Sequence, residues 1–398
     1  MAVAAGPLTS RPDVDLLDPR FHVGDPHPAY RWMRAHEPIY RDRNGVWCAT
    51  RMEHVRHVER HASEFVSSRG YRSVWFPHET AMIAQDDPGH QKQRKLISDM
   101  FTPRAVARIT DDIRGDISAA LSCTRGTDRF EVVDTLAGRI PAMMTCRLLG
   151  WPLDRWRDVK SWSERLMRVD TLHRNPLHMS DATRAVHEMA ALTETSIEER
   201  RGCPATDVLG RWANAEIGGQ SMTLENINSE LGLVVPGGAE TTRTTLARSL
   251  IMLSERNDLW EQIHAEPEAI PTAVEELLRW VTPLNNMFRV AADDTELDGV
   301  RISAGDRIAL VYPSANRDEE WFDDPYEVDL ARDPNPHIAF GFGTHFCLGA
   351  HVARLVLRVS LEELASRFTN LRPGGAPRYE ANVFVKAVEH FELVFDRR

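Results

Sequence analysis

Cys347 stands in Phe340-Gly-Phe-Gly-Thr-His-Phe-Cys-Leu-Gly-Ala350, and that segment constrains the chain more than any other. Glycines let a backbone approach a flat ligand closely and take up positive φ. A helical pattern, His351 to Arg367, begins directly behind the cysteine. A helix N-terminus offers free N–H groups and the positive end of a dipole. Both lower a thiol's pKa and favour the thiolate. The segment therefore predicts a thiolate held at the mouth of a helix. A lone cysteine is a poor zinc site, because structural zinc takes four protein ligands.

Such a thiolate suits a metal whose other positions are already filled. Iron in a porphyrin qualifies, since the macrocycle supplies four nitrogens and the cysteine a fifth ligand. The competing reading of the residues alone is a buried cysteine in a glycine-rich turn.

The rest of the chain carries mainly helical periodicity. Apolar residues recur at 3.6-residue spacing over Arg104–Leu121, Val133–Leu149, Arg155–Val169, Ser180–Arg200, Leu224–Arg256, Pro267–Val281 and His351–Arg367. Pro28–His36 reads as a further helix. Ile39–Thr50 alternates around Asn44-Gly45, a type I′ hairpin signal. A second β segment runs from Asp298-Gly299 through Arg307 to Tyr312. Helices in the middle with short strands at both ends predict a mostly α protein with a small β region.

No Ser/Gly-rich linker, charge block or repeat divides the 398 residues, so one domain is expected behind a polar lead-in over 1–26. No secretory or membrane-spanning apolar run is present, and a cytoplasmic location with no membrane span is expected. The five cysteines are scattered and odd in number, which implies no disulfide framework. A formal net charge of −11 argues against bulk nucleic-acid binding.

The segment Leu224–Arg256, with Thr223 as its N-cap, has an unusual middle: Leu231-Gly-Leu-Val-Val-Pro-Gly-Gly-Ala-Glu-Thr-Thr242. An interior glycine costs about 1 kcal/mol relative to alanine, and a proline about 3. Two helices joined by a turn would explain it. One long helix, opened locally to make room for a ligand, would explain it too. Two charged pairs also stand out. His90 and Arg94 are spaced i, i+4, and Glu276 and Arg279 i, i+3. Taken alone, such pairs are ordinary helix surface.

Together these segments resemble, in order, the motifs of the cytochrome P450 family. Phe340–Ala350 resembles its haem-binding signature. Gly237-Gly238-Ala239-Glu240-Thr241 resembles the central-helix motif above the haem. His90-x-x-x-Arg94 resembles its propionate motif, and Glu276-x-x-Arg279 with Arg332 its Glu-Arg-Arg cluster. The resemblance implies the P450 fold, a single haem-thiolate domain shaped as a triangular prism. It implies haem b with Cys347 as axial ligand, a mode taken from the family and not from spacing. It implies that Gly349 lies at the haem and that His90, Arg94, Arg289 and His345 hold its propionates. Glu240 and Thr241 would deliver protons to bound O2, while Glu276, Arg279 and Arg332 support the cysteine loop. Pro236 departs from the usual small or aliphatic residue and is expected to widen the groove.

The resemblance also implies a monooxygenase acting on a lipophilic small molecule. Its substrate would meet Val74, Trp75, Phe76, Leu233, Pro236, Gly237, Leu284, Asn285, Met287, Val383 and Phe384. Ala29–Ala35, Tyr40–Gly45 and Asn285–Val290 are similar to actinobacterial sterol side-chain hydroxylases of this family. A steroid or other polycyclic or terpenoid lipid is therefore expected, with a fatty acid or macrolide-type intermediate as alternatives. No flavin or NAD fingerprint is present, so electrons are expected from a separate ferredoxin or flavodoxin with its reductase, docking near Arg354 and Arg358. The rival readings are a peroxide-driven hydroxylase and a non-catalytic haem sensor, neither of which needs Glu240 beside Thr241.

Overall fold

Leu224–Glu255 forms one unbroken helix of 32 residues, the axis of the molecule. The computed structural model describes residues 8–172 and 174–398. Thr223 caps the central helix in a capping box with Asn226, which satisfies two free backbone donors. Leu231, Val235, Leu246, Leu250 and Leu253 are fully buried along it. Each buried leucine contributes about 1.5–3 kcal/mol. The helices Arg139–Leu149, Trp156–Met167 and Leu177–Arg200 pack against it, as do helix Ile270–Val281 and strand Phe368–Pro373. Pro236 does not break the helix. A helical proline ring collides with the carbonyl four residues back. Here that residue is Gly232, beside which a Cβ would meet nothing, so the backbone has room to yield.

A five-stranded sheet lies to one side. Its order is Ile39–Arg41, Trp47–Ala49, Arg307–Leu310, Met287–Ala291 and Phe65–Val66. Only the pairing of Trp47–Ala49 with Arg307–Leu310 is parallel. Strand periodicity puts Met287 and Arg289 on one face and Phe288 on the other. Phe288 packs with Cys48 and Ala309, while Met287 packs with Ile308 and Leu310. Near the C-terminus, Phe368–Pro373, Glu392–Arg397 and Arg129–Glu131 form a three-stranded sheet.

Several expectations need correction. Asn44 does not adopt positive φ, so Asn44-Gly45 is no type I′ turn. Instead Asp42 organises a longer loop, accepting from the N–H groups of Asn44 and Val46. The two-residue turn occurs at Asp298-Gly299, where both φ values are positive (51° and 76°). Arg104–Leu121 is two helices, Pro103–Ala107 and Thr110–Leu121. Val133–Leu149 opens with a π-helical turn over Val133–Ala137 before helix Arg139–Leu149. The short helices Met52–Arg60, Val208–Ala213 and Asn257–Ala265 were not anticipated.

Candidate active site

The cysteine loop is shaped by its glycines. Gly341 and Gly343 adopt φ of 70° and 69°, and a Cβ on Gly343 would lie 2.4 Å from Glu59 O. No other residue type fits there without moving the Met52–Arg60 helix. Cys347 N–H donates to Phe340 O (2.9 Å), which closes the loop, and helix Ala350–Ala365 follows. The Cys347 side chain is exposed although protein packs densely around it, so it faces an interior space. This burial pushes the thiol's pKa up. The Gly349 N–H, Arg94 and Arg354 only partly offset it. The expected depression of the thiol is thus corrected. The helix N-terminus acts in the right direction, but desolvation outweighs it. A metal cation in contact with the sulfur would supply the missing stabilisation of the thiolate.

Around this loop gather the predicted cations. His90 and His345 face each other with ring centroids 4.1 Å apart. His90 Nδ1 lies 3.1 Å from Asp87 and 3.2 Å from Thr344 Oγ1, and His345 Nε2 lies 3.2 Å from Ser67 Oγ. Burial, then Arg289 and His90, hold His345 down to about 2, so it is neutral. Arg94 Nη2 donates to Phe346 O (2.6 Å). Arg289, 2 % exposed, has Glu59 as its nearest carboxylate at 3.9 Å. Burial pushes Glu59 itself up to about 7 despite Arg289 and a 2.7 Å bond from Tyr312 OH. Arg94 and Arg289 are therefore under-compensated, which fits a dianionic group between them. Among the described residues no three His, Cys, Asp or Glu side chains converge as a metal site. A single cysteine sulfur facing an interior space, with Arg94 and Arg289 near its loop, matches haem.

On the central helix, Gly237 and Thr241 stand one turn apart, the first exposed and the second half-buried. A Cβ on Gly237 would meet nothing within 4 Å, so this residue borders open space. Gly238 does a different job, since its Cβ would press on Thr145 Oγ1 at 3.0 Å. It lets helix Arg139–Leu149 approach closely. Thr241 Oγ1 donates to Gly237 O (2.7 Å) and is half-buried, whereas Thr242 is buried on the other side. Glu240 points into the protein, 2.9 Å from Arg243 Nη1, which also donates to Glu164 (2.6 Å). Glu240 Oε1 has no partner. Burial pushes Glu240 up to about 7 even though Arg243 pulls it down. One guanidinium shared between two carboxylates does not offset that desolvation.

The expected substrate contacts divide. Leu233, Gly237, Leu284 and Val74 retain exposure, and Leu284 packs with the buried Met287 and Phe384. Pro236 is buried against the protein, and Phe76 packs on the main core. Trp75 is 54 % exposed, with its indole N–H on Ser68 O. Val383 and Asn285 do not line the space. Val383 is fully buried, and Asn285 spends its amide on Asn382 O and Val383 O (both 3.2 Å). They back the wall, because stitching the 382–386 turn to the strand needs those groups.

Glu276 and Arg279 are both fully buried and bonded by two 2.7 Å contacts. Arg332 joins at 3.2 Å and Asn335 at 3.0 Å. Arg354 is held in a fork by Glu275 (2.7 Å twice) and lies over the Phe340 ring at 4.6 Å. It is thus part of the loop's support, a correction to its reading as free docking surface. The residues that went unforeseen are Glu59, Tyr312, Glu275, Glu164 and Arg243. Only Arg243, one turn from Glu240, had a sequence signal.

Comparison with known proteins agrees with this geometry. The family model described as Cytochrome P450 matches residues 39–393. A steroid C26-monooxygenase of Mycolicibacterium smegmatis is 37 % identical over 98 % of this chain and 97 % of its own. One from Mycobacterium tuberculosis is 35 % identical over 98 % of each. A Mycobacterium marinum cytochrome P450 solved in complex with pseudoionone is 30 % identical, with a TM-score of 0.89 over 98 % of this chain and 100 % of that one.

Proposed function

The chain belongs to the cytochrome P450 family, and from that premise we propose that it hydroxylates a steroid or comparable polycyclic lipid at an aliphatic C–H bond. It is a haem-thiolate monooxygenase, and its family takes O2, a lipophilic substrate and electrons from a redox partner. When bound, haem supplies the activation of dioxygen and the oxidation of the C–H bond. The polypeptide does the rest. Cys347 offers the thiolate, and Arg94, Arg289, His90 and His345 answer the carboxylates of the cofactor.

Thr241 places a hydroxyl on the open face of the central helix, where turning its O–H away from Gly237 O presents a donor. Glu240 holds a proton near neutral pH on the neighbouring, buried side. Rotation of its side chain carries that proton toward Thr241 and away from Arg243. Filling of the open face beside Thr241 by substrate would exclude bulk water, so that protons arrive through this pair and not at random. The Glu240–Thr241 arrangement supports oxygen activation over a sensor role, which would need neither group.

The substrate reading rests on the apolar character of the positions expected to meet substrate, the half-buried Leu233 and Leu284 with Leu284 packed against Met287 and Phe384. The names of the two mycobacterial relatives point the same way. Electrons come from a separate ferredoxin-type donor. Arg358, its side chain 38 % exposed and 3.6 Å from Glu362, remains on offer for docking. Titration of the oxidised holoprotein with steroids and linear fatty acids tests the proposal through the Soret band. A steroid with an intact alkyl side chain should shift it at micromolar concentration and yield a product heavier by one oxygen. A shift by fatty acids and not by any steroid would replace the reading.

A further inference from the structure

The C-terminal end of helix Ile270–Val281 gathers a second set of cations, remote from the cysteine loop in its contacts. Lys386 Nζ donates to Val281 O (3.0 Å), and Arg317 Nη2 donates to Trp280 O (2.8 Å). Adjacent carbonyls thus hold two cations side by side. Cations suit a helix C-terminus, but its partial charge is only about half a unit. Arg248 adds a third. Its Nε donates to Lys386 O (2.6 Å), and its guanidinium lies over the Tyr379 ring at 4.5 Å.

Among the described residues none of these three cations has an ion-pair partner, and the Arg317 guanidinium lies over the Trp280 ring at 4.6 Å. Arg34 and Arg279, which Arg317 also feels, are paired with Glu319 and Glu276. The acids that influence the cluster are that same Glu276 and the exposed Asp25. Arg317 is 3 % exposed, and its Nε and Nη1 have no partner. His27 Nδ1 is likewise buried and unpartnered, and His27 feels Arg317 and Lys386 as its strongest charges. Burial, then neighbouring cations, hold Arg317 down to about 9 and Lys386 well below the usual lysine range. Burying unanswered guanidinium N–H groups is among the more costly arrangements in a fold.

We propose that Arg317 Nε and Nη1, Lys386 Nζ and His27 Nδ1 bind a small inorganic anion, chloride or an oxyanion of similar size. The near-complete enclosure of Arg317 favours an ion over an organic acid. Occupancy would act on the substrate wall. Lys386 N–H donates to Pro283 O (2.9 Å), Leu284 pairs with Val385, and Asn285 N–H donates to Phe384 O (2.8 Å). The anion would thus pin the 382–386 turn against the strand that carries Leu284 and Met287.

The test uses the full-length holoprotein at constant ionic strength, with sodium gluconate replaced stepwise by chloride, bromide or phosphate. The thermal midpoint should rise with the logarithm of one small anion's concentration, as binding to the native state alone requires. Crystals grown in bromide should show an anomalous peak between Arg317 and Lys386. Lys386→Met and His27→Phe should remove the dependence or weaken binding at least about tenfold. Equal midpoints in gluconate and every anion, or a site filled by water alone in bromide crystals, would overturn the proposal. The bromide crystal needs no variant to fold, and neither readout depends on the substrate reading.

Discussion

Replacing Glu276 with alanine should destabilise the holoprotein by about 3–5 kcal/mol, the usual consequence of stranding one member of a buried ion pair. The structure gives the reason. Glu276 accepts from Arg279 twice, from Arg332 and Asn335, and from Asp329 N–H (3.0 Å). Its loss leaves Arg279, fully buried, with only the carbonyls of Asn316, Pro325 and Glu327. Since domains are stable by about 5–15 kcal/mol, much of the total would go. Urea melts followed by Soret absorbance and far-ultraviolet dichroism would measure it, with the denaturant slope as a check on compactness. Arg301→Ala is the control. Its partner Asp294 is 2.8 Å away, but the Arg301 side chain is 79 % exposed, so the cost should stay below about 1 kcal/mol. The double change Glu276→Leu with Arg279→Met should recover part of the loss by removing the stranded charge. A Glu276→Ala protein within about 1 kcal/mol of the parent, at unchanged slope, would refute the reasoning.

Four further outcomes follow. Thr241→Ala should bind substrate normally but release peroxide and form less product per NADPH, while Thr242→Ala keeps the parent ratio. Glu240→Gln should slow the whole cycle by about 10²–10⁴-fold in steady-state turnover. Glu275, pulled down to about 2 by Arg354 and His337 against desolvation that raises it, contributes stability present above its ordinary pKa of 4.5. That contribution is lost as pH falls from about 5 to 2, so Glu275→Gln should flatten the acid limb of a stability-versus-pH curve. The purified chain with NADPH alone should consume no oxygen until a ferredoxin and its reductase are added.

What could be read in the sequence was whatever the backbone itself demands. Gly341 and Gly343 are fixed by positive φ and by Glu59's carbonyl, so the cysteine loop announced itself. Thr223 marked the start of the central helix because a cap is local chemistry. The continuity of that helix through Pro236 was ambiguous, since Gly232's freedom to yield depends on empty space that no sequence pattern reports. Glu59 and Glu275 were invisible for the same reason. Their partners Arg289 and Arg354 stand far away in the chain, and only the fold brings them together. The thiol's pKa went wrong because a helix terminus is local, whereas the burial that outweighs it is not. Asn285 and Val383 adjoin Leu284 and Phe384 in the chain but turn their groups into the protein.

The central claim is a thiolate from Cys347 on haem iron, and the reduced protein under carbon monoxide tests it most directly. The parent should show the red-shifted Soret band that a thiolate trans to carbon monoxide produces. So should the variants in which Cys48, Cys123, Cys146 or Cys203 becomes serine, since two of these thiols are buried and none lies in the loop. Cys347→Ser should lose the band. An unshifted band in the parent, or its survival in Cys347→Ser, would contradict the account.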